Sequence, residues 1–148
     1  MAYETVPAAG PVATMSDREC WAHLASSTLG RLATSVGDQP DVFPVNFVVQ
    51  NHSILIRTSE GTKLASAATN HRVAFEADDH DAVGGWSVVV KGHARVLSSI
   101  DDVATAERAQ VLPWICTPKR RFIRITPTEI AGRTFRFGGE PEDPDGLA

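Results

Sequence analysis

Residues 30–58, GRLATSVGDQPDVFPVNFVVQNHSILIRT, decide how the rest of the chain is read, because here the apolar period becomes two. Three runs rich in β-branched and apolar residues, 30–36, 41–50 and 53–58, are separated by Gly37-Asp38-Gln39-Pro40 and by Asn51-His52. Alternating runs joined by such turn residues predict an antiparallel meander. Pro44 has no amide hydrogen for a ladder, so the second strand is expected to have an edge or a local break there.

On the C-terminal side, Gly61 to Thr69 places Leu64, Ala67 and Ala68 at helical spacing, and Asn70 suits the helix stop. RVAFEAD (72–78) and WSVVVKGHARVL (86–97) are the next expected strands, joined by a polar loop from Asp79 to Gly85. Ser99 is suited to cap a third helix ending before Pro113. RRFIRIT (120–126), a turn at Pro127-Thr128-Glu129 and IAGRTFRF (130–137) close the domain. On the N-terminal side, Ser16-Asp17-Arg18-Glu19 is a capping box opening a helix over 17–26, with Cys20, Trp21 and Leu24 on one face. Seven short strands and three brief helices, with no regular strand–helix alternation, predict a mainly β (α+β) fold: a six- to seven-stranded antiparallel barrel with short peripheral helices. Residues 1–15 read as a flexible arm or one lying across a partner, 16–137 as the domain, and 138–148 (GGEPEDPDGLA) as an acidic solvated tail.

A chain of 148 residues, 43% hydrophobic and 22% charged, is about one domain with enough apolar surface for a core. Its net charge of -4 arises in the tail, where Glu140, Glu142, Asp143 and Asp145 lie, so residues 1–139 are neutral. Neutrality argues against nucleic acid and against an anionic membrane as partners. Cys20 and Cys116 form no CxxC and stand near no spaced histidine pair, so neither a disulfide scaffold nor a metal site is expected. With no apolar run long enough to span a bilayer and no signal-peptide pattern, a cytoplasmic protein is expected. G-x-S-x-G, G-x-G-x-x-G and a complete phosphate-binding P-loop are all absent.

The segment that does carry chemistry is Arg57-Thr58-Ser59-Glu60-Gly61-Thr62-Lys63, where a strand runs into a helix. A helix N-terminus offers unsatisfied amide hydrogens and the positive end of a dipole. Arg57 adds a bidentate donor and Lys63 a point charge, while the hydroxyls of Thr58, Ser59 and Thr62 complete a phosphate-sized set. An ordinary capped helix with solvated ends is the competing reading of the same residues. The 18 residues from Lys119 to Arg136 hold six of the 14 basic residues and are a second candidate wall for an anion. Trp86 and Trp114 are aromatic candidates for stacking on a ring or for plugging the core.

Five blocks in order then resemble a known family: Gly30 to Thr34, Pro44-Val45-Asn46-Phe47, Ile54 to Thr58 with Glu60 to Leu64, Arg72 to Asp78, and Trp86 to Gly92. Together they resemble the pyridoxamine 5'-phosphate oxidase-like FMN-binding split β-barrel proteins, nearest the nitroimidazole-resistance-type branch. The resemblance runs from about Asp17 to Leu97. It implies a homodimer with FMN at the subunit interface. The phosphate and ribityl chain would meet Arg57, Thr58, Ser59 and Lys63, and the backbone of Pro44, Val45 and Asn46 would follow the ring edge. In that branch a histidine often stands where this chain has Arg57. The implied activity is electron transfer from a reduced nicotinamide to a small-molecule acceptor, and no residue stands out as a catalytic acid or base. A deazaflavin in place of FMN, using the Lys119 to Arg136 stretch, is an alternative, as is a non-catalytic flavin or haem carrier or sensor.

Overall fold

The computed structural model describes residues 11–58, 61–111 and 121–138, with the backbone alone for 62–64. The element order is β1 (Val12–Met15), α1 (Asp17–Ala25), β2 (Leu29–Val36), β3 (Gln39–Gln50), β4 (Ser53–Thr58), α2 (Thr62–Thr69), β5 (Arg72–His80), β6 (Gly84–Val96), α3 (Ile100–Glu107) and β7 (Arg121–Arg136). The strands form one antiparallel sheet in the order β1-β7-β4-β3-β2-β5-β6, and a β6–β7 ladder closes it into a barrel. Closure leaves few strand edges to solvent.

The expected meander is present, with tighter turns. Gly37 and Asp38, at φ 54° and 63°, form a two-residue turn, so Gln39 and Pro40 already belong to β3. Asn51 and His52, both at φ 52°, make the second. Paired positive φ values match the right-handed twist of the flanking strands. The capping box also forms: the Glu19 amide donates to Ser16 Oγ at 3.2 Å, and the Ser16 amide donates back to Glu19 Oε1 at 3.4 Å.

Two expectations about the ends of the domain are corrected. Residues 12–15, read as part of a flexible arm, are strand β1, paired from Val12↔Phe135 to Met15↔Gly132. The two strands expected around a turn at 127–129 are one continuous β7. Pro127 lies opposite Gly92 and Glu129 opposite Lys91, so Thr128 is the extra residue of a bulge, and its hydroxyl donates to the Lys91 carbonyl at 3.1 Å. A bulge absorbs the proline without ending the ladder. These two changes offset each other, and the strand count remains seven. Trp114, Cys116, Lys119, Arg120 and residues 139–148 of the expected tail lie outside the described residues.

The barrel is filled by alternate residues: Leu32 of β2, Val45 and Phe47 of β3, Ile54 and Ile56 of β4, Phe75 and Ala77 of β5, Val88 and Val90 of β6, and Ile123 and Ile125 of β7. A second apolar cluster, Leu55, Leu97, Ala106, Val111 and Phe122, holds α3 against the outside of β4 and β7. Side chains of opposite parity face out from the barrel, and this parity determines which groups can meet a ligand. Among the described residues no helix is long and apolar enough to cross a membrane.

Candidate functional site

The β3–β4 ladder runs from Gln50↔Ser53 to Phe47↔Ile56 and stops. Continuing both strands past that pair places Asn46 beside Arg57 and Val45 beside Thr58 where the strands part. On its other side β3 stays paired to β2 through Leu29↔Asn46, Gly30↔Val45 and Arg31↔Pro44. β4 likewise stays paired to β7 through Arg57↔Phe122 and Thr58↔Arg121. The barrel is thus held on both flanks and opens between β3 and β4. The expected break near Pro44 is this half-edge: the residues around it have a ladder partner on one side only.

Parity sorts the candidate residues. Val45, at 1% exposure, and Thr58, at 4%, turn their side chains into the barrel and present backbone at the opening. Pro44, Asn46 and Arg57 face outward on one surface. Arg57 Nη1 donates to the Val111 carbonyl at 3.2 Å, which anchors the guanidinium beside α3; its other N–H groups have no partner among the described residues. Below it Glu107, Gln110 and Phe122 line a cleft of about 40 Å³. α2 follows β4 directly. Its N-cap, Gly61, supplies no side-chain acceptor, so the first-turn amides of Thr62 and Lys63 are not capped from there. Ser59 lies outside the described residues, and the side chains of Thr62 and Lys63 are not described.

Trp86 is placed elsewhere. It sits near the start of β6, opposite Asp79 and Thr134, with the His23 ring tilted against it at 4.8 Å between centroids. The other end of β6 lies near Arg57, because the Leu97 amide donates to Phe122, the ladder partner of Arg57. One chain therefore does not bring Trp86 to the β3–β4 opening. Trp86 lines a separate cavity of about 360 Å³ with His23, Asp79, His80 and Thr134.

Of the arginines described in β7, Arg124 is used internally, while Arg121, Arg133 and Arg136 are exposed. Arg124 donates to Ser53 Oγ at 2.7 Å and to Gln50 Oε1 at 2.8 Å, pinning the β3–β4 turn, and burial lowers its pKa. Phe122 is a core residue of the α3 cluster. Among the described residues no group of three or more His, Cys, Asp or Glu is placed to hold a metal.

A charged cluster that the sequence reading did not single out lies beside the opening. Arg31 is the ladder neighbour of Pro44 on one side and of Glu76 on the other. Its Nη1 donates to Glu76 Oε2 at 3.0 Å and to Asp78 Oδ1 at 3.2 Å. Glu76 Oε1 is buried with no hydrogen-bond partner among the described residues. Burial, followed by the neighbouring Asp78, pushes the Glu76 carboxyl up to about 7, against the opposing pull of Arg31. The only sequence trace of this cluster is two-residue spacing of acids in Glu76-Ala77-Asp78; the partner comes from another strand.

The pyridoxamine 5'-phosphate oxidase family model matches residues 16–134. An uncharacterized protein of Mycobacterium tuberculosis H37Rv is 55% identical over 95 residues, covering 64% of this chain and 86% of that protein. Among solved structures, the FAD binding protein from Mycobacterium smegmatis is 53% identical and covers 85% of this chain and 100% of its own, with a TM-score of 0.76. A Corynebacterium glutamicum crystal structure, 39% identical, covers 88% of this chain and 98% of its own, with a TM-score of 0.79. A family match over residues 16–134, on a fold whose sheet opens where the sequence blocks fall, assigns the chain to the pyridoxamine 5'-phosphate oxidase family.

Proposed function

We propose that this protein is a flavin-binding oxidoreductase that moves electrons from a reduced nicotinamide to a small-molecule acceptor. The observation that carries the reading is the end of the β3–β4 ladder at Phe47↔Ile56, which sets Asn46 and Arg57 on one outward face beside the N-terminus of α2. The donor set fits a flavin phosphate: a half-engaged guanidinium, first-turn amides that Gly61 does not cap, and Lys63 in that turn. The one-sided backbone of Pro44 to Asn46 fits the polar edge of a planar ring. When bound, the flavin supplies the two-electron chemistry. The residues of this chain bind and orient it, and the α3 cluster keeps Arg57 pointed outward.

The site is completed by a second copy of the chain. Leu29, Val42 and Val89 are exposed on the outer face of β2, β3 and β6, next to the opening. A homodimer through this face would cover them and allow Trp86 of the second chain to reach a ring that Trp86 of the same chain does not. FMN is the first reading of the cofactor. FAD is the second, favoured by the M. smegmatis relative, and the two share the flavin mononucleotide portion that this site holds.

The visible spectrum of the purified protein, followed by titration with FMN, FAD and a deazaflavin, tests the reading. Flavin absorption bleached by NADH supports it; turnover with a reduced deazaflavin and no binding of FMN or FAD overturns it. Lys63→Ala is expected to remove a charge-assisted contact worth about 1.5–3 kcal/mol, weakening flavin binding by roughly 10- to 150-fold. Unchanged affinity would refute the phosphate assignment. Sedimentation is expected to show a dimer, and a monomer that retains flavin would rule out the shared site.

A further inference from the structure

A cavity of about 620 Å³ lies across β2, β5, β6 and the bulge of β7. Neither Asn46 nor Arg57 lines it, so it is separate from the β3–β4 opening. Its floor is made by small outward residues: Ala33 of β2 is the ladder partner of Ala74 of β5, and Ala74 pairs in turn with Lys91 of β6. Two neighbouring strands, about 4.8 Å apart, thus present nothing longer than a methyl group, and the floor is flat and apolar. One wall is cationic. Arg72 and His93 stand directly opposite each other on β5 and β6, and Lys91 lies two residues from His93 on the same outward face. All three are exposed, and neither Arg72 nor His93 has an ion-pair partner among the described residues. Lys91 meets Glu129 at 3.9 Å with both side chains more than half exposed, a contact of little worth. Arg72 and Lys91 are diagonal neighbours, roughly 7–8 Å apart, so their charges repel, and an anion between them turns that repulsion into attraction.

We propose that this groove binds an organic phosphate with a flat apolar body, of the size of a nucleoside monophosphate. A volume of about 620 Å³ is within the range of small-molecule sites, roughly 300–1,000 Å³. The phosphate lies between Arg72 and Lys91: the guanidinium presents two N–H groups to two of its oxygens, and Lys91 brings a point charge to the third. His93 adds a ring N–H from the strand opposite Arg72. A carboxylate, with two oxygens, would satisfy Arg72 and leave the Lys91 charge unmet, so the donor set favours phosphate. The body of the ligand rests on Ala33 and Ala74 and removes their methyl groups from water. The β2 end of the groove adjoins Val42, the ladder neighbour of Ala33 on the face proposed above for the second chain, so a second chain there would wall that end. The site uses none of the flavin donors and does not depend on the flavin reading.

The test is titration of the isotope-labelled protein with adenosine monophosphate, followed by backbone amide shifts in NMR. Saturable shifts are expected at Ala33, Ala74, Gly92 and His93, which line the groove. Adenosine, lacking the anion, and inorganic phosphate, lacking the body, should each bind at least about tenfold more weakly. Arg72→Ala should weaken the nucleotide by roughly 10- to 150-fold, and Lys91→Ala, on another strand, in the same direction. Ala74→Leu, which raises the floor, should cost nucleotide binding and spare inorganic phosphate. Lys63→Ala, at the flavin junction, should bind the nucleotide in the groove as the parent does, which separates the two sites. Nucleotide held no tighter than inorganic phosphate would mean surface cations only and overturns the proposal. Parent-like affinity in Arg72→Ala, or shifts confined to residues 57–63, overturns it as well. Groove amides that ignore the nucleotide but change on dilution of a dimer to monomer would assign the groove to the second chain, which also overturns it.

Discussion

Phe75→Ala is expected to destabilise the fold by about 3–5 kcal/mol, the range for removing a buried aromatic ring and leaving a cavity. Phe75 is fully buried in the barrel, and its ring meets Phe47 edge-on at 4.7 Å between centroids. The two rings fill the barrel directly behind the site, since Phe47 is also the last β3 residue of the β3–β4 ladder. Phe75 also lies over Gly30, where a Cβ would run into the ring and stand 2.8 Å from the Glu76 carbonyl oxygen. Gly30 lets β2 pass close to β5, and Phe75 takes the space that its missing side chain leaves. Chemical denaturation should show the loss as a lower midpoint with an unchanged slope; a loss under about 1 kcal/mol would mean that the ring is not a packing element.

Glu76→Gln is expected to remove a pH dependence of stability. The carboxyl has a folded value of about 7 against an ordinary 4.5, so it binds its proton more tightly in the folded chain. Its favourable contribution is fully present below about 4.5 and is lost as pH rises through about 7. A shift of that size corresponds to about 3 kcal/mol at most between the two limits. The variant should therefore melt higher than the parent at about pH 8, by roughly 2–4 °C per kcal/mol recovered, and close to it at about pH 4.5. Equal differences at both pH values would show that the substitution acts through packing rather than through the charge. This readout needs no ligand.

The elements legible in the sequence were those specified by neighbours along the chain. Ser16 and Glu19 are three residues apart, and the capping box they encode is present. The turn residues Gly37-Asp38 and Asn51-His52 can adopt the positive φ that a hairpin needs. The strand-to-helix junction at 57–63 was likewise readable, because a helix N-terminus and its flanking cations are contiguous. β1 was not readable: VATM has no alternation of its own, and its place comes from β7, which offers a ladder from Gly132 to Phe135. The turn expected at Pro127-Thr128-Glu129 is compatible with those residues, yet the long β6 opposite them continues the ladder and converts the turn into a bulge.

The residue types of the candidate site come from the same local pattern, and their orientation does not. Alternation along β3 and β4 could have ranked Thr58 below Arg57 as a donor, but only the ladder shows that Thr58 faces the barrel with Val45 while Arg57 faces out with Asn46. Trp86 shows the converse case, an aromatic in a suitable motif that the closed sheet carries to the far end of β6. The sequence by itself determined most of the strands, the turns between β2, β3 and β4, and that cationic and hydroxyl residues gather at one strand-to-helix junction, because these depend on contiguous residues. Tertiary structure alone decided where the barrel opens and which acids share Arg31. Both depend on register between strands distant in sequence, and a shift of one residue would exchange the faces of the sheet.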